Sequence, residues 1–170
     1  GHCGSYALAL TLGGSYEFYH TTIGNYWYGS TRTTPSLILN NYYKDTTDNF
    51  NYRDLEKAFF GNCIIYGNKA NEIGFDKKSD ATFNYTFDHS LLKIDPEEET
   101  NNDHFNNIIK NENPRFVSTS NHKLKLDTLS PAVNAGKDQF GQDYPFDIEG
   151  NSRILDEAPD LGAYERNPGN

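Results

Sequence analysis

Lys44, Asp45 and Asp48 stand close together in the chain, and Arg53 and Asp54 follow shortly after. Two carboxylates held about 5–9.5 Å apart can hydrolyse a glycosidic bond. Abstracting a proton next to a carboxyl group takes a positioned base and a cation that stabilises the resulting charge. Asp88 and His89 adjoin, and Asp95-Pro96-Glu97-Glu98-Glu99 with Asp103 is the densest acidic run. That run lacks the Asp-x-Asp-x-Asp-Gly spacing of an EF-hand loop. It reads as a solvated loop, with weak Ca²⁺ binding as the alternative; no other metal or cofactor is assigned. None of these groups makes a convincing constellation, so no catalytic residue is named. The binding candidates are aromatic: Trp27 and Tyr28, with Arg32 shortly after, and Tyr42 and Tyr43 on the next polar stretch. Flat rings offer apolar faces to sugar rings, and a cation binds hydroxyls or acidic groups. The competing reading has Trp27 and several tyrosines packing over a flank.

What must position these residues is a chain of 170 residues, one domain's worth. Its 15 Lys and Arg against 24 Asp and Glu give a net charge of −9, which repels a phosphate backbone and argues against a nucleic-acid partner. Aromatic residues make up 14%, enough to keep so polar a chain out of the disordered class. No apolar run approaches the ~18 residues of a membrane span. There are 20 Asn and 14 Gly, which together with the β-formers predict many short strands joined by tight turns. The one helix-like stretch is roughly Tyr52 to Phe60. Cys63, between Asn62 and Ile64, reads as a buried free thiol rather than half of a bridge to Cys3.

Three segments share a pattern: Phe18-Tyr19-His20-Thr21-Thr22-Ile23, Phe60-Gly61-Asn62-Cys63-Ile64-Ile65 and Phe87-Asp88-His89-Ser90-Leu91-Leu92. Each reads Phe, any residue, Asn or His, a small residue, then a mostly aliphatic pair, with Thr22 the departure. The offsets are 42 and 27 residues. Such a signature predicts a coil whose windings stack like on like at the ~4.8 Å spacing of neighbouring strands. The longer offset implies an insertion near 40–54. Tyr6 to Leu12, Ser36 to Asn40 and Asn71 to Phe75 supply further strands. An antiparallel β-sandwich is the rival, and it leaves the repeated signature unexplained. His20 and His89 then fall where the second segment has Asn62, and they read as members of a polar ladder. Asp76-Lys77-Lys78-Ser79-Asp80 reads as a turn of mixed charge.

The second half carries a train of separate motifs. Asn113-Pro114-Arg115-Phe116 leads to Leu124-Lys125-Leu126 and Leu129-Ser130-Pro131-Ala132-Val133-Asn134-Ala135-Gly136. Asp147-Ile148-Glu149-Gly150-Asn151-Ser152-Arg153 and Pro159-Asp160-Leu161-Gly162-Ala163-Tyr164-Glu165 follow. Over residues 113–165 this train resembles the C-terminal end of bacterial right-handed parallel β-helix proteins of the pectate-lyase-like class. Val133 and Asn134 stand where that ending has Ile and Asp. The stretch from His20 through Cys63 resembles surface proteins of gut Bacteroidota, with less specific motifs. The resemblance implies an all-β, right-handed parallel β-helix, or solenoid. Residues 1–112 form its turns, and 113–170 the last turn and a C-terminal capping region. Asp147 and Arg153 could pair across a turn, and Gly136 and Gly162 suit positive φ or close approach.

The strand pattern begins within the first few residues, and the expectation is the C-terminal portion of a longer coil. By resemblance the setting is extracellular or on the outer surface of a Gram-negative bacterium, and polysaccharide is the expected ligand. The leading expectation is a non-catalytic, glycan-binding or assembly component of a polysaccharide-uptake system, with other outer-membrane surface proteins as partners. The alternatives are a polysaccharide lyase or glycoside hydrolase with part of its groove upstream, and a structural adhesin or stalk.

Overall fold

The structure, a computed structural model, describes residues 3–166. The chain is nearly all β, with 36% strand and 4% helix. It lays down β1 (Leu8–Leu10), β2 (Gly14–Tyr19) and β3 (Thr22–Asn25), then β4 (Leu37–Asn40). A hairpin, β5 (Tyr42–Lys44) and β6 (Phe50–Tyr52), follows before β7 (Leu55–Gly61) and β8 (Ile64–Gly67). Next come β9 (Ile73–Asp76), β10 (Phe83–Asp88) and β11 (Leu91–Leu92), then β12 (Phe105–Asn106) and β13 (Ile109–Lys110). A second hairpin, β14 (Phe116–Ser118) and β15 (Lys123–Leu126), precedes the short helix α1 (Asp138–Asp143).

These strands form three parallel sheets, in the orders β1-β4-β9, β2-β7-β10-β12 and β3-β8-β11-β13. The chain therefore visits the sheets in a fixed rotation, adding one strand to each on three passes and, on a fourth, β12 and β13 to the second and third sheets only, an arrangement compatible with a β-helix-like fold. Parallel ladders rule out the antiparallel sandwich; among the described strands, only the two hairpins pair antiparallel. The stretches expected around Tyr6–Leu12, Ser36–Asn40 and Asn71–Phe75 overlap β1, β4 and β9, which stack in one sheet.

The repeated signature is in register. Phe18 pairs with Phe60, Phe60 with Phe87, and Phe87 with Phe105. Their rings stack with centroids 4.9, 4.8 and 5.6 Å apart and planes within 14° of parallel. Phe105-Asn106-Asn107-Ile108-Ile109 is a fourth winding, only 18 residues after the third, with Ile108 in the small slot. At the bend between the second and third sheets, His20, Asn62, His89 and Asn107 have φ of 47°, 51°, 48° and 51°. Asn tolerates this left-handed conformation best and His is also enriched there, which is why the repeat carries one or the other. Side chains touch in pairs along the ladder, Asn62 to His20 at 3.4 Å and Asn107 to His89 at 3.1 Å. In the small slot, Ser90 Oγ accepts from the Cys63 amide at 3.1 Å, and Cys63 is a fully buried free thiol. Burial pushes that thiol up to about 12, so it stays protonated and inert.

The stretch expected to be helical, Tyr52 to Phe60, instead holds the end of β6 and most of β7. Leu55, Ala58 and Phe60 are fully buried on its inner face, and β2 and β10 flank it on both sides. Pairing on two edges outweighs the propensity of a Leu-Glu-Lys-Ala run.

Alternate residues of the third sheet face two cores. Ile65 and Leu92 join Leu37, Leu55, Phe60 and Phe87 inside the coil. Ile64, Tyr66 and Leu91 face outward onto Leu126, Ala132 and Leu161. Residues 113–166 thus lie along a flank. Leu124 meets Gly24 of the first winding, the Gly162 amide donates to Asn62 O of the second, and Lys137 reaches Asp88 of the third. Gly162 has φ +88°, and a Cβ there would lie 2.4 Å from Thr22 Oγ1; Gly136 is hemmed in by Pro159 and Asn62.

Asp147 and Arg153 do not pair directly. Arg153 bonds Glu165 at 3.1 Å, while Asp147 accepts from the amides of Glu149, Asn151 and Glu165. Burial and the neighbouring Asp160 push the Glu165 carboxyl up to about 8. The folded state therefore holds a proton the unfolded chain releases near 4.5, and stability falls as pH rises from there through about 8. Burial and the nearby Arg153 hold His20 down at about 4, so stability on the acid side falls as pH drops from about 6.5 through 4. Thermal melts should peak between roughly pH 5 and 6.5. Glu165→Gln should flatten the alkaline arm, and His20→Asn the acid arm.

Candidate functional site

The insertion between β4 and β7 is a short hairpin with one aromatic face. Tyr42 stands opposite Tyr52, and Lys44 opposite Phe50. Side chains two apart on a strand, and those directly across from each other, share a face. Tyr42, Phe50 and Tyr52 therefore form one surface, with ring centroids 5.4 and 6.4 Å apart from Tyr42 to Phe50 and from Phe50 to Tyr52. Phe50 remains 40% exposed and Tyr52 37%, unusual for rings with no core to fill. Lys78 Nζ lies 4.8 Å from the Phe50 centroid and 5.3 Å from that of Tyr42, and Lys44 Nζ lies 5.1 Å from Phe50.

The hairpin is anchored at both ends. The Tyr42 hydroxyl donates to the Asp76 carboxylate at 2.8 and 2.9 Å, and Asn40 Nδ2 donates to the same group at 3.1 Å. At the tip, Asp45 accepts from the Thr47 hydroxyl and from the Thr47 and Asn49 amides. Those bonds hold its carboxyl down at about 2. Asp45 is thus a turn organiser, and Lys44 pairs with Asp48 across the tip at 3.4 Å.

Tyr43 points to the opposite face, where the Arg53 guanidinium sits 5.4 Å from its ring. Trp27 is half-buried against the Gly4 and Gly29 backbone, with its Nε1 donating to Ser30 Oγ. Tyr28 is 65% exposed, with its hydroxyl 3.4 Å from Thr119. Arg32 is buried. It pairs with Glu72 at 2.6 Å and donates to the carbonyls of Thr34 and Asn25. Glu72 also accepts from Ser36 Oγ and the Lys69 amide, so the pair ties the first corner to the second. Of the five residues expected to bind, Tyr42 contributes to the exposed face, Tyr43 backs it, and Trp27 and Tyr28 belong to a different corner. Arg32 is taken up inside the protein, out of a ligand's reach.

Phe50, Tyr52 and Lys78 are the members of this face that the sequence alone did not single out. The alternation of aromatic residues in Phe50-Asn51-Tyr52 was the available signal. Elsewhere, Asp88 is buried between His89 (2.6 Å) and Lys137 (2.9 Å) and clasps the flank to the coil. No group of three or more His, Cys, Asp or Glu among the described residues could hold a metal ion. No helix among them is long and apolar enough to cross a membrane. No protein-family model matches the chain, and no curated protein and no solved structure matches it either.

Proposed function

We propose that this chain is part of a right-handed parallel β-helix of the pectate-lyase-like class on the outer surface of a Gram-negative bacterium of the Bacteroidota. In this reading it is a non-catalytic glycan-binding or assembly component of polysaccharide uptake. The registered phenylalanine column and the rotation through three parallel sheets support the coil. The motif train over 113–165 supports the class. The observation that carries the binding role is the exposed Tyr42–Phe50–Tyr52 face with Lys44 and Lys78 beside it. Rings stack on the apolar faces of pyranose units, and the ammonium groups bind their hydroxyls or acidic substituents. The chain as a whole carries a net charge of −9, which confines cation-assisted binding to such a local patch.

Affinity electrophoresis against neutral and acidic polysaccharides tests this. The protein should be retarded by at least one glycan, and Phe50→Ala should weaken that retardation by about tenfold, a loss of ~1.4 kcal/mol. Lys78→Ala should weaken it less, with a selective effect on acidic glycans. Retardation that survives Phe50→Ala unchanged removes the hairpin from the account. Release of unsaturated or reducing-end products from any of these polysaccharides overturns the non-catalytic assignment.

A further inference from the structure

The second hairpin, β14 and β15, turns one face onto the flank core and the other to solvent. Phe116, Leu124 and Leu126 pack inward. Side chains alternate along a strand, so Val117, Lys123 and Lys125 turn outward, with Val117 58% exposed. The turn after Asp147 stands opposite. Asp147 accepts from the Glu149 and Asn151 amides and so fixes the loop that carries Glu149. Tyr164 joins them, on a segment pinned by the buried Leu161 and Glu165 on either side of it.

Hairpin, turn and ring enclose a cleft of about 450 Å³, lined by Val117, His122, Lys123, Lys125, Glu149 and Tyr164. That lies within the ~300–1,000 Å³ range of small-molecule sites. An adjoining cavity of about 260 Å³ shares Val117, Lys125, Glu149 and Tyr164 with it and adds Arg166. The Lys125 ammonium lies 2.6 Å from the Glu149 carboxylate and 5.9 Å from the centroid of Tyr164. Among the described residues, neither Lys123 nor Arg166 has an ion-pair partner. Glu165 reaches the smaller cavity, but its carboxyl is bonded to Arg153 at 3.1 Å. Asp127, near Arg166, is taken up by the Thr128 hydroxyl and the Leu129 amide. The described lining thus sets Lys123, Lys125 and Arg166 against the half-exposed carboxylate of Glu149, in a chain whose net charge is −9.

We infer that this cleft binds the anionic pyranose unit of a carboxylated or sulfated sugar, with Lys123 and Lys125 on the acidic group and Tyr164 against the ring. A cleft walled by an excess of one charge concentrates ligands of the other sign. Tyr164 and Val117 add an apolar surface that a bare ion does not use, so the ligand carries a ring face as well as a charge. Glu149 is the built-in competitor. Its carboxylate holds the place on Lys125 that a ligand anion takes, and once displaced it accepts hydrogen bonds from ring hydroxyls. None of the lining residues belongs to the hairpin at 42–52, and Lys78 is not among them. The inference therefore does not rest on that aromatic face.

The test is a titration of the 170-residue chain followed by its amide resonances, with glucuronate, sulfated glucose, glucose and inorganic sulfate as the probes. At least one of the two anionic sugars should shift the Lys123, Lys125 and Tyr164 amides saturably, and the tighter of them names the acidic group. Lys123→Gln, at an exposed position, should weaken that binding several-fold, and Lys125→Met about tenfold. Glu149→Gln removes the competitor and should tighten binding several-fold, a change of opposite sign that damage to the fold does not imitate. Phe50→Ala should leave it unchanged. Glucose bound as tightly as the anionic sugars overturns the inference, as do the same shifts from inorganic sulfate alone or no saturable shift with either anionic sugar. An affinity that neither Lys123→Gln nor Glu149→Gln moves overturns it too, and binding lost in Phe50→Ala assigns the sugar to the other face.

Discussion

Phe60→Ala should lower the unfolding free energy by about 4 kcal/mol, at the upper end of what one core substitution costs. Phe60 is fully buried between Phe18 and Phe87, each within 5 Å centroid to centroid. Truncation removes the ring's transfer free energy, opens a cavity two parallel sheets cannot collapse into, and breaks two stacked contacts. In a domain of this size that is a fall in melting temperature of roughly 10 °C. Phe18→Ala is the internal comparison. Its ring ends the column, is half-buried and has one stacked neighbour, so it should cost less than half as much. Equal costs at the two positions would mean that the rings do not form a graded column. Chemical denaturation followed by circular dichroism measures both.

The second large effect lies at the corner. Glu72→Ala should cost about 3–5 kcal/mol, because it strands the Arg32 guanidinium in the interior without its counter-charge. Both side chains are essentially inaccessible, and the pair is 2.6 Å apart. The cost is that of an uncompensated buried charge and exceeds the net worth of the pair. A double variant, Arg32→Met with Glu72→Leu, should therefore recover most of the loss. If the single and double variants are equally unstable, the hydrogen bonds from Ser36 and Lys69 to Glu72 carry the corner instead.

Much of this fold was legible because it repeats. Parallel strands stacked in register write their packing into the sequence, since each must offer Phe, Asn or His, and aliphatics at the same place for like to stack on like. The bend residue follows from backbone sterics at φ near +50°. The fourth winding was harder to see: Ile108 fills the small slot, and the offset shrinks to 18 residues. β7 was misread because its Leu-Glu-Lys-Ala run suits a helix in isolation, and only the strands on either side decide against it. The flank is a long-range matter as well. That sheet three buries both faces, and that residues 113–166 cover the outer one, depends on contacts no local pattern encodes.

The site was half legible for a related reason. Tyr42 and Tyr43 are adjacent in sequence, so one points into the exposed face and the other away from it. Phe50 and Tyr52 reach Tyr42 only once the hairpin closes, and Lys78 arrives from the next winding. Arg32 looked like a ligand-binding cation because its partner Glu72 is 40 residues away. A buried pair of that separation leaves no trace in the local sequence.

Successive windings lie in register, and ring-to-ring proximity measures that directly. In a sample with protonated Phe in an otherwise deuterated chain, nuclear Overhauser contacts should link Phe18 to Phe60, Phe60 to Phe87 and Phe87 to Phe105, with none between Phe18 and Phe87. Direct Phe18–Phe87 contacts, or no contact between Phe60 and Phe87, would contradict it.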